Sequence, residues 1–347
     1  MITLARQSRG ISQAALAVKL RWVQGTVSKV ETGLEPLSGD RLSALADALD
    51  YPAGFFLRRE EVGGPGITEI YHRKKARASA MALHRIHAEA EIRRFEIAAL
   101  LRSWDKMPQE PFPVLDINDF EGNPEKIART VRATLRIPPG PIFNMTKVIE
   151  SAGGIVLSCD FSTPDVDGFS RWGSDTPPIF YMSSKIPPDR WRFALAHELG
   201  HIVMHSTSGS YPQMEPDAHL FAGEFLAPKH EIKPQLFNLS LKRLAPLKEY
   251  WKMSMQALIM RASTAGAISP YEKQHMMMQL SKAGYRLREP EELDPPAEPP
   301  NLLRDIVAYH CDSLGYSHDD LCRLLALNKA DLYRIYQPSG SRLHTIQ

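Results

Sequence analysis

One stretch limits this chain more than any other: Ala194 to His205, reading Ala-Leu-Ala-His-Glu-Leu-Gly-His-Ile-Val-Met-His. His197 and His201 stand four apart, so on a helix of 3.6 residues per turn their imidazoles share one face and can grip a single Zn²⁺. Glu198 then stands beside the water such a metal binds, the place of a general base. Phe193, Leu195, Ala196, Leu199, Ile202 and Val203 surround the polar trio. That pattern predicts a buried helix with one reactive face and implies metal-dependent peptide hydrolysis. A core helix with two satisfied histidines is the plainer alternative.

With 347 residues, the chain has room for two or three domains, each with its own core. It contains no apolar run approaching the ~18 residues of a membrane span and no secretory h-region, so the expectation is a cytoplasmic protein with no membrane partner. Cys159, Cys311 and Cys322 lack disulfide or metal-knuckle spacing. The 42 basic and 40 acidic side chains nearly cancel, with the basic excess in the N-terminal hundred residues.

Residues 1 to 57 read as short helices separated by turns. Ser12 is the expected N-cap of a helix through Gln13 and Leu16; a second helix starts near Gln24 and runs through Thr26, Val27, Ser28, Lys29 and Glu31, and Gly33 stops it. Ser-Gln-x-x-Leu-Ala, a turn, then Gln-x-Thr-Val-Ser-Lys-x-Glu-x-Gly resembles the helix-turn-helix of the phage-repressor-like (XRE) family, and Leu42 to Leu49 with Tyr51, Pro52, Phe55 and Phe56 resembles its closing helices. The resemblance implies binding of double-stranded DNA, by homodimers on paired half-sites. Gln13, Gln24, Thr26, Ser28 and Lys29 are the candidate DNA contacts, offering amide, hydroxyl and ammonium groups to base edges and phosphates.

Beyond the Gly63 to Ile67 break, Tyr71-His72-Arg73-Lys74-Lys75-x-Arg77 is either a second phosphate contact or a solvated helix entry. Ser79 to Trp104 reads as a long amphipathic connector with Met81, Leu83, Ile86, Ala90, Phe95, Ala98 and Leu101 on its apolar side, and a dimer interface is the alternative. A Pro-rich joint follows from Met107 to Pro113. Helices are expected from Pro124 to Leu135 and from Ile142 to Ser151, and strands at Gly153–Ser158, Asp167–Arg171 and Pro178–Met182. The last leads into the histidine helix and is the strand expected to hold an extended substrate by backbone pairing.

A catalytic zinc needs three protein ligands and one open position. His-Glu-Leu-Gly-His-x-x-x-His followed by Glu215-x-x-Ala218-x-x-Phe221-Ala222-x-x-Phe225-Leu226-x-Pro228 resembles the ImmA/IrrE family of zinc metallopeptidases, members of which are found fused to phage-type repressor domains. The likeness runs over roughly residues 1 to 290. It implies His197, His201 and Glu215 as zinc ligands, Glu198 as general base, and limited cleavage of a repressor or antitoxin-like protein in a stress or phage-related response. Pro216 departs from the expected pattern. It suits the first position of a helix, which would leave Glu215 as the cap and Asp217 as a reserve ligand. His205 and His219 are possible orienting groups, and Tyr181 or His219 the possible oxyanion stabiliser.

The fold expected is mainly α: an N-terminal all-α helix-turn-helix bundle over 1–60, a basic segment and connector over 61–106, a small α+β zincin-like domain over 114–290, and a helical tail over 301–347. The acidic, proline-rich run Glu289 to Pro300 is expected to be an extended linker. Gly315 to Tyr336 carries a faint helix-turn-helix pattern, for which a packing or dimerisation appendage is the preferred reading. Two other classes compete with a peptidase: a transcription factor whose zinc domain only senses, and an antitoxin or phage-defence regulator that acts by protein binding.

Overall fold

The computed structural model describes residues 1–60, 79–108, 112–173, 175–205 and 212–336. The basic cluster of Tyr71 to Arg77, the break at Gly63 to Ile67 and part of the joint before Pro113 lie outside the described residues. Five short helices open the chain: α1 (Ile2–Ser8), α2 (Gln13–Leu20), α3 (Gln24–Glu31), α4 (Gly39–Leu49) and α5 (Ala53–Phe56). Ser12 caps α2 as expected, accepting from the Ala15 N–H at 3.1 Å. Leu4, Leu16, Val27, Leu45, Leu49 and Phe55 fill the bundle's interior.

The long helix α6 (Ala80–Leu101) does more than a one-faced connector. Ala88, Ile92 and Phe95 close the core of the N-terminal bundle, while Leu83, Ile86, Ala90, Ile97 and Leu100 enter a second core. Apolar residues on both sides are what such a shared spine requires.

α7 (Pro124–Thr134) and α8 (Met145–Ser151) precede a three-stranded sheet of β1 (Ile155–Cys159), β2 (Gly168–Arg171) and β3 (Ile179–Ser183), in the order β1-β3-β2. β1 runs parallel to β3, and β2 runs antiparallel to it. β3 therefore has both edges occupied, which corrects the expectation that it pairs with a substrate: β1 and β2 are the edge strands, and β2 is the one beside α9. One face of the sheet (Val156, Phe180, Met182) packs on α7, α8, α9 (Pro188–His205) and α10 (Met214–Leu226). The opposite face (Ile155, Leu157, Phe169, Tyr181) packs on α6 and on α15 (Leu302–Asp312). Between these come α11 (Lys229–Ile232), α12 (Leu241–Trp251), α13 (Met255–Thr264) and α14 (Pro270–Lys282); α16 (His318–Leu325) and α17 (Lys329–Tyr336) end the described chain.

The run Glu289 to Pro300 is not a free linker. Glu289 accepts from the buried Lys248 ammonium and from the Met255 N–H, both at 2.9 Å, and Asp294 lies 3.3 Å from the same ammonium. Glu298 pairs with Arg192 and accepts from the Met145 N–H at 2.7 Å. Acidic residues that suggest solvated coil in a sequence are here the counterions of buried cations, which burial otherwise penalises. Among the described residues no helix is long and apolar enough to cross a membrane.

Candidate metal centre and DNA-reading unit

α9 carries the histidine motif through the middle of the larger core, and its first two turns are tied down from outside the helix. Asp189 pairs with Lys248, and Arg192 with Glu298. Arg192 also donates to the Ile142 carbonyl at 2.7 Å. Gly200, inside the motif, is where α10 crosses. A Cβ there would stand 3.0 Å from the Phe221 ring, so glycine lets the two helices come close enough to bring the start of α10 over the histidines.

Three donor atoms meet at that crossing. His197 Nε2 and His201 Nε2 are 3.1 Å apart, and Glu215 lies 3.2 Å from His201 Nε2 and 3.7 Å from His197 Nε2. Tetrahedral coordination with bonds of about 2.0–2.1 Å needs ligand atoms roughly 3.3 Å apart, so the residues fit a zinc ion. This trio is the one group of three or more His, Cys, Asp or Glu so arranged among the described residues, and Asp217 is not in it. Pro216 turns out to be compatible with Glu215 as a member. α10 begins at Met214, two residues earlier than a proline-led start would put it, and Asp217 is the residue whose N–H reaches the Gln213 carbonyl, at 2.9 Å. Pro216 thus falls among the first-turn positions whose N–H has no partner in the helix, and its ring costs no hydrogen bond.

Both histidines are buried, and burial first, then the neighbouring His201, pushes the His197 imidazole down to about 3. His205, pushed to about 3 by burial and then by His201, is also neutral at ordinary pH, and its Nδ1 is 3.0 Å from His201 Nδ1. One of the two donates to the other, which fixes the His201 ring with its Nε2 turned towards Glu215. The expectation of an orienting role thus has a geometric basis for His205. His219 packs edge-on against His197 with ring centroids 4.7 Å apart and lines the cleft. Tyr181 does not. Its hydroxyl donates to the Ala90 carbonyl at 2.9 Å on the far side of the sheet, because alternation along β3 points it away from α9.

Glu198 is held by a residue that sequence reading passed over. Ser170 on β2 donates its hydroxyl to Glu198 Oε2 at 2.8 Å, both groups being buried. The strand was legible, but its facing towards α9 was not. The carboxylate opens on a cleft of about 620 Å³ lined by Gly168 of the edge strand, Phe193, His197, Glu215, His219, Met260 and Arg286.

In the N-terminal bundle, Gln24 and Lys29 of α3 are exposed and Thr26 and Ser28 half-buried, on a helix entered through an extended Val23. Gln13 is engaged within the fold, donating to Glu31 at 2.7 Å, and Glu31 also pairs with Arg6 at 2.5 Å. That network clamps α1, α2 and α3 together.

Residues 149–263 match the family model of the IrrE N-terminal-like domain, a peptidase M78 family, and residues 2–56 match a helix-turn-helix model. No curated protein and no solved structure matches the chain.

Proposed function

We propose that this chain, which joins a helix-turn-helix DNA-binding domain to an IrrE-like metallopeptidase domain, is a DNA-bound regulator that cuts a repressor- or antitoxin-like protein with a zinc-dependent endopeptidase site. The observation carrying this reading is the convergence of His197, His201 and Glu215 beside a Glu198 that Ser170 holds at the floor of an open cleft. A purely structural zinc site has four protein ligands; three ligands with a carboxylate alongside is the catalytic arrangement.

Zinc, when bound by the three ligands, supplies Lewis-acid polarisation of a carbonyl and makes a nearby water more acidic. Glu198 takes the proton of the attacking water and returns it to the departing amine nitrogen. Ser170 keeps the carboxylate in one orientation through both transfers. β2 offers its outer edge to an extended peptide, in place of the β3 pairing expected from sequence. His219, beside His197 at the cleft wall, is positioned to donate to the oxyanion. α3 inserts Gln24, Thr26, Ser28 and Lys29 into the major groove, with two chains on paired half-sites. In this proposal residues 1–60 read DNA, 61–106 connect, 114–290 cut, and 301–347 form a C-terminal appendage.

Glu198→Gln tests the chemistry. The variant should retain about one zinc per chain by elemental analysis and lose at least ~10³-fold in cleavage of a partner repressor, since the amide cannot accept the proton. Wild-type cleavage by this variant would overturn the mechanism.

A further inference from the structure

The C-terminal helices repeat the N-terminal ones in constant register. α2 and α3 have eight residues each, and so do α16 and α17. Ser12 and Ser317 each cap the first helix of the pair by accepting from the third residue on, Ala15 in one and Asp320 in the other. Arg21 and Ala326 each leave that helix in the left-handed region, at φ 56° and 53°. Leu16 matches Leu321, and Val27 matches Leu332, all buried. Gly10 and Gly315, both at positive φ, precede the capping serines at the same spacing, and the helices before them, α1 and α15, both pack on α6. A shared eight-residue helix, a three-residue turn that opens on a left-handed residue, and a second eight-residue helix make a helix-turn-helix in each case.

The two units differ at the end that reads DNA. In the first, Val23 and Gln24 at the start of α3 are exposed, and alanines fill the first turn of α2 behind Gln13. In the second, the matching first turn of α16 carries Asp319 and Asp320, which repel phosphate. The exposed cations of α16 and α17 are already paired: Lys329 with Asp319 at 2.8 Å, Arg323 with Asp320, and Arg334 with Asp331 at 2.7 Å. The start of α17 is occupied by protein. Asp331, the counterpart of Thr26, is buried and accepts from Arg9 at 2.7 Å. Asn328, the counterpart of Val23, caps α17 and also donates to the Asp50 carbonyl at 3.1 Å. Arg58 donates to the Leu325 carbonyl at 2.9 Å, and Ala326 completes the first unit's core.

We infer that residues 302–336 are a second helix-turn-helix whose reading end binds the first one: a protein-docking unit that seats the DNA-reading bundle on the peptidase domain and makes no DNA contact of its own. Its partner is the corner of the N-terminal bundle formed by Arg9, Asp50 and Arg58. The first helix, α15, lies against β1, so the docked bundle keeps a fixed orientation relative to the sheet and cleft.

Two pairs of substitutions in the full-length chain decide it. Asn328→Ala with Asp331→Ala should raise amide hydrogen exchange at least about tenfold in both α16–α17 and residues 1–60, as expected when a docking contact is released. Lys329→Ala with Arg334→Ala, on the exposed side of α17, should leave affinity for a mixed-sequence DNA duplex within about twofold of wild type, while Lys29→Ala weakens it. Unchanged exchange in residues 1–60 on loss of Asn328 and Asp331 would overturn the docking role. A drop in duplex affinity from the Lys329 and Arg334 pair equal to that from Lys29→Ala would overturn it independently, even if the first pair failed to fold.

Discussion

The histidine helix α9 and α3, the helix proposed to read DNA, are both short sequence motifs that present polar groups on one face, yet the protein treats them in opposite ways. Around α9 several of the polar groups have a second residue fixing them: His205 behind His201, Ser170 behind Glu198, Lys248 and Glu298 behind the helix's first two turns. On α3, Gln24 and Lys29 stand in solvent, and the fixing is confined to the Arg6–Glu31–Gln13 clamp at the helix ends. Under the proposed function the difference follows from the partners. Hydrolysis needs donor atoms held to fractions of an ångström before substrate arrives, and metal ligands bind more tightly where their own partners hold them. A duplex brings its own rigid geometry and a dense charge, so side chains reading it can settle on contact.

The sharpest way to break this contrast is to remove a ligand. Glu215→Ala should cut zinc affinity by more than about a hundredfold, leaving the purified variant with little metal, whereas Asp217→Ala should retain about one zinc per chain. Elemental analysis reads both. Equal loss from the two would mean that the first turn of α10 as a whole, and not the Glu215 carboxylate, holds the metal.

A smaller effect is expected one layer out. His205→Ala removes the group that fixes the His201 ring and should weaken zinc binding by roughly 10–100-fold, with helix content unchanged. Competition with a chromophoric chelator measures it. An affinity within about twofold of wild type would show that packing alone orients His201, and the contrast with α3 would lose its main support.

How much of this was legible in the sequence follows the same division. The motif on α9 is local, so spacing alone put His197, Glu198 and His201 on one face, and the likeness of the segment after it to a known family supplied Glu215. The three strands and the N-cap of α2 were also legible, because alternation and serine placement are local signals. What escaped depends on which distant element faces which. Ser170 meets Glu198 only because β2 is the strand beside α9; Tyr181 turns away only because β3 is central with its odd face towards α6. Glu289 and Glu298 look like solvated linker until Lys248 and Arg192 are found behind them. The faint repeat at Gly315 to Tyr336 lacked the polar reading residues that make the first unit recognisable, and its kinship rests on caps and backbone angles.

The smallest effect lies on α3 itself, and its form matters more than its size. Lys29 is exposed and makes no ion pair among the described residues, so its charge is available to a phosphate. Neutralising one phosphate contact removes about one counterion from those released on binding, and Lys29→Ala should therefore lower the slope of log affinity against log salt by about 1 on any duplex sequence. Gln24→Ala carries no charge change; it should leave the slope alone and cost about 1–3 kcal/mol on the preferred sequence only. Fluorescence anisotropy at several salt concentrations separates the two. If Lys29→Ala leaves the slope unchanged and Gln24→Ala weakens all sequences equally, α3 does not lie in the groove as proposed. The exposed polar face would then have some use other than reading bases, and the looseness of α3 could no longer be explained by a partner that supplies the order.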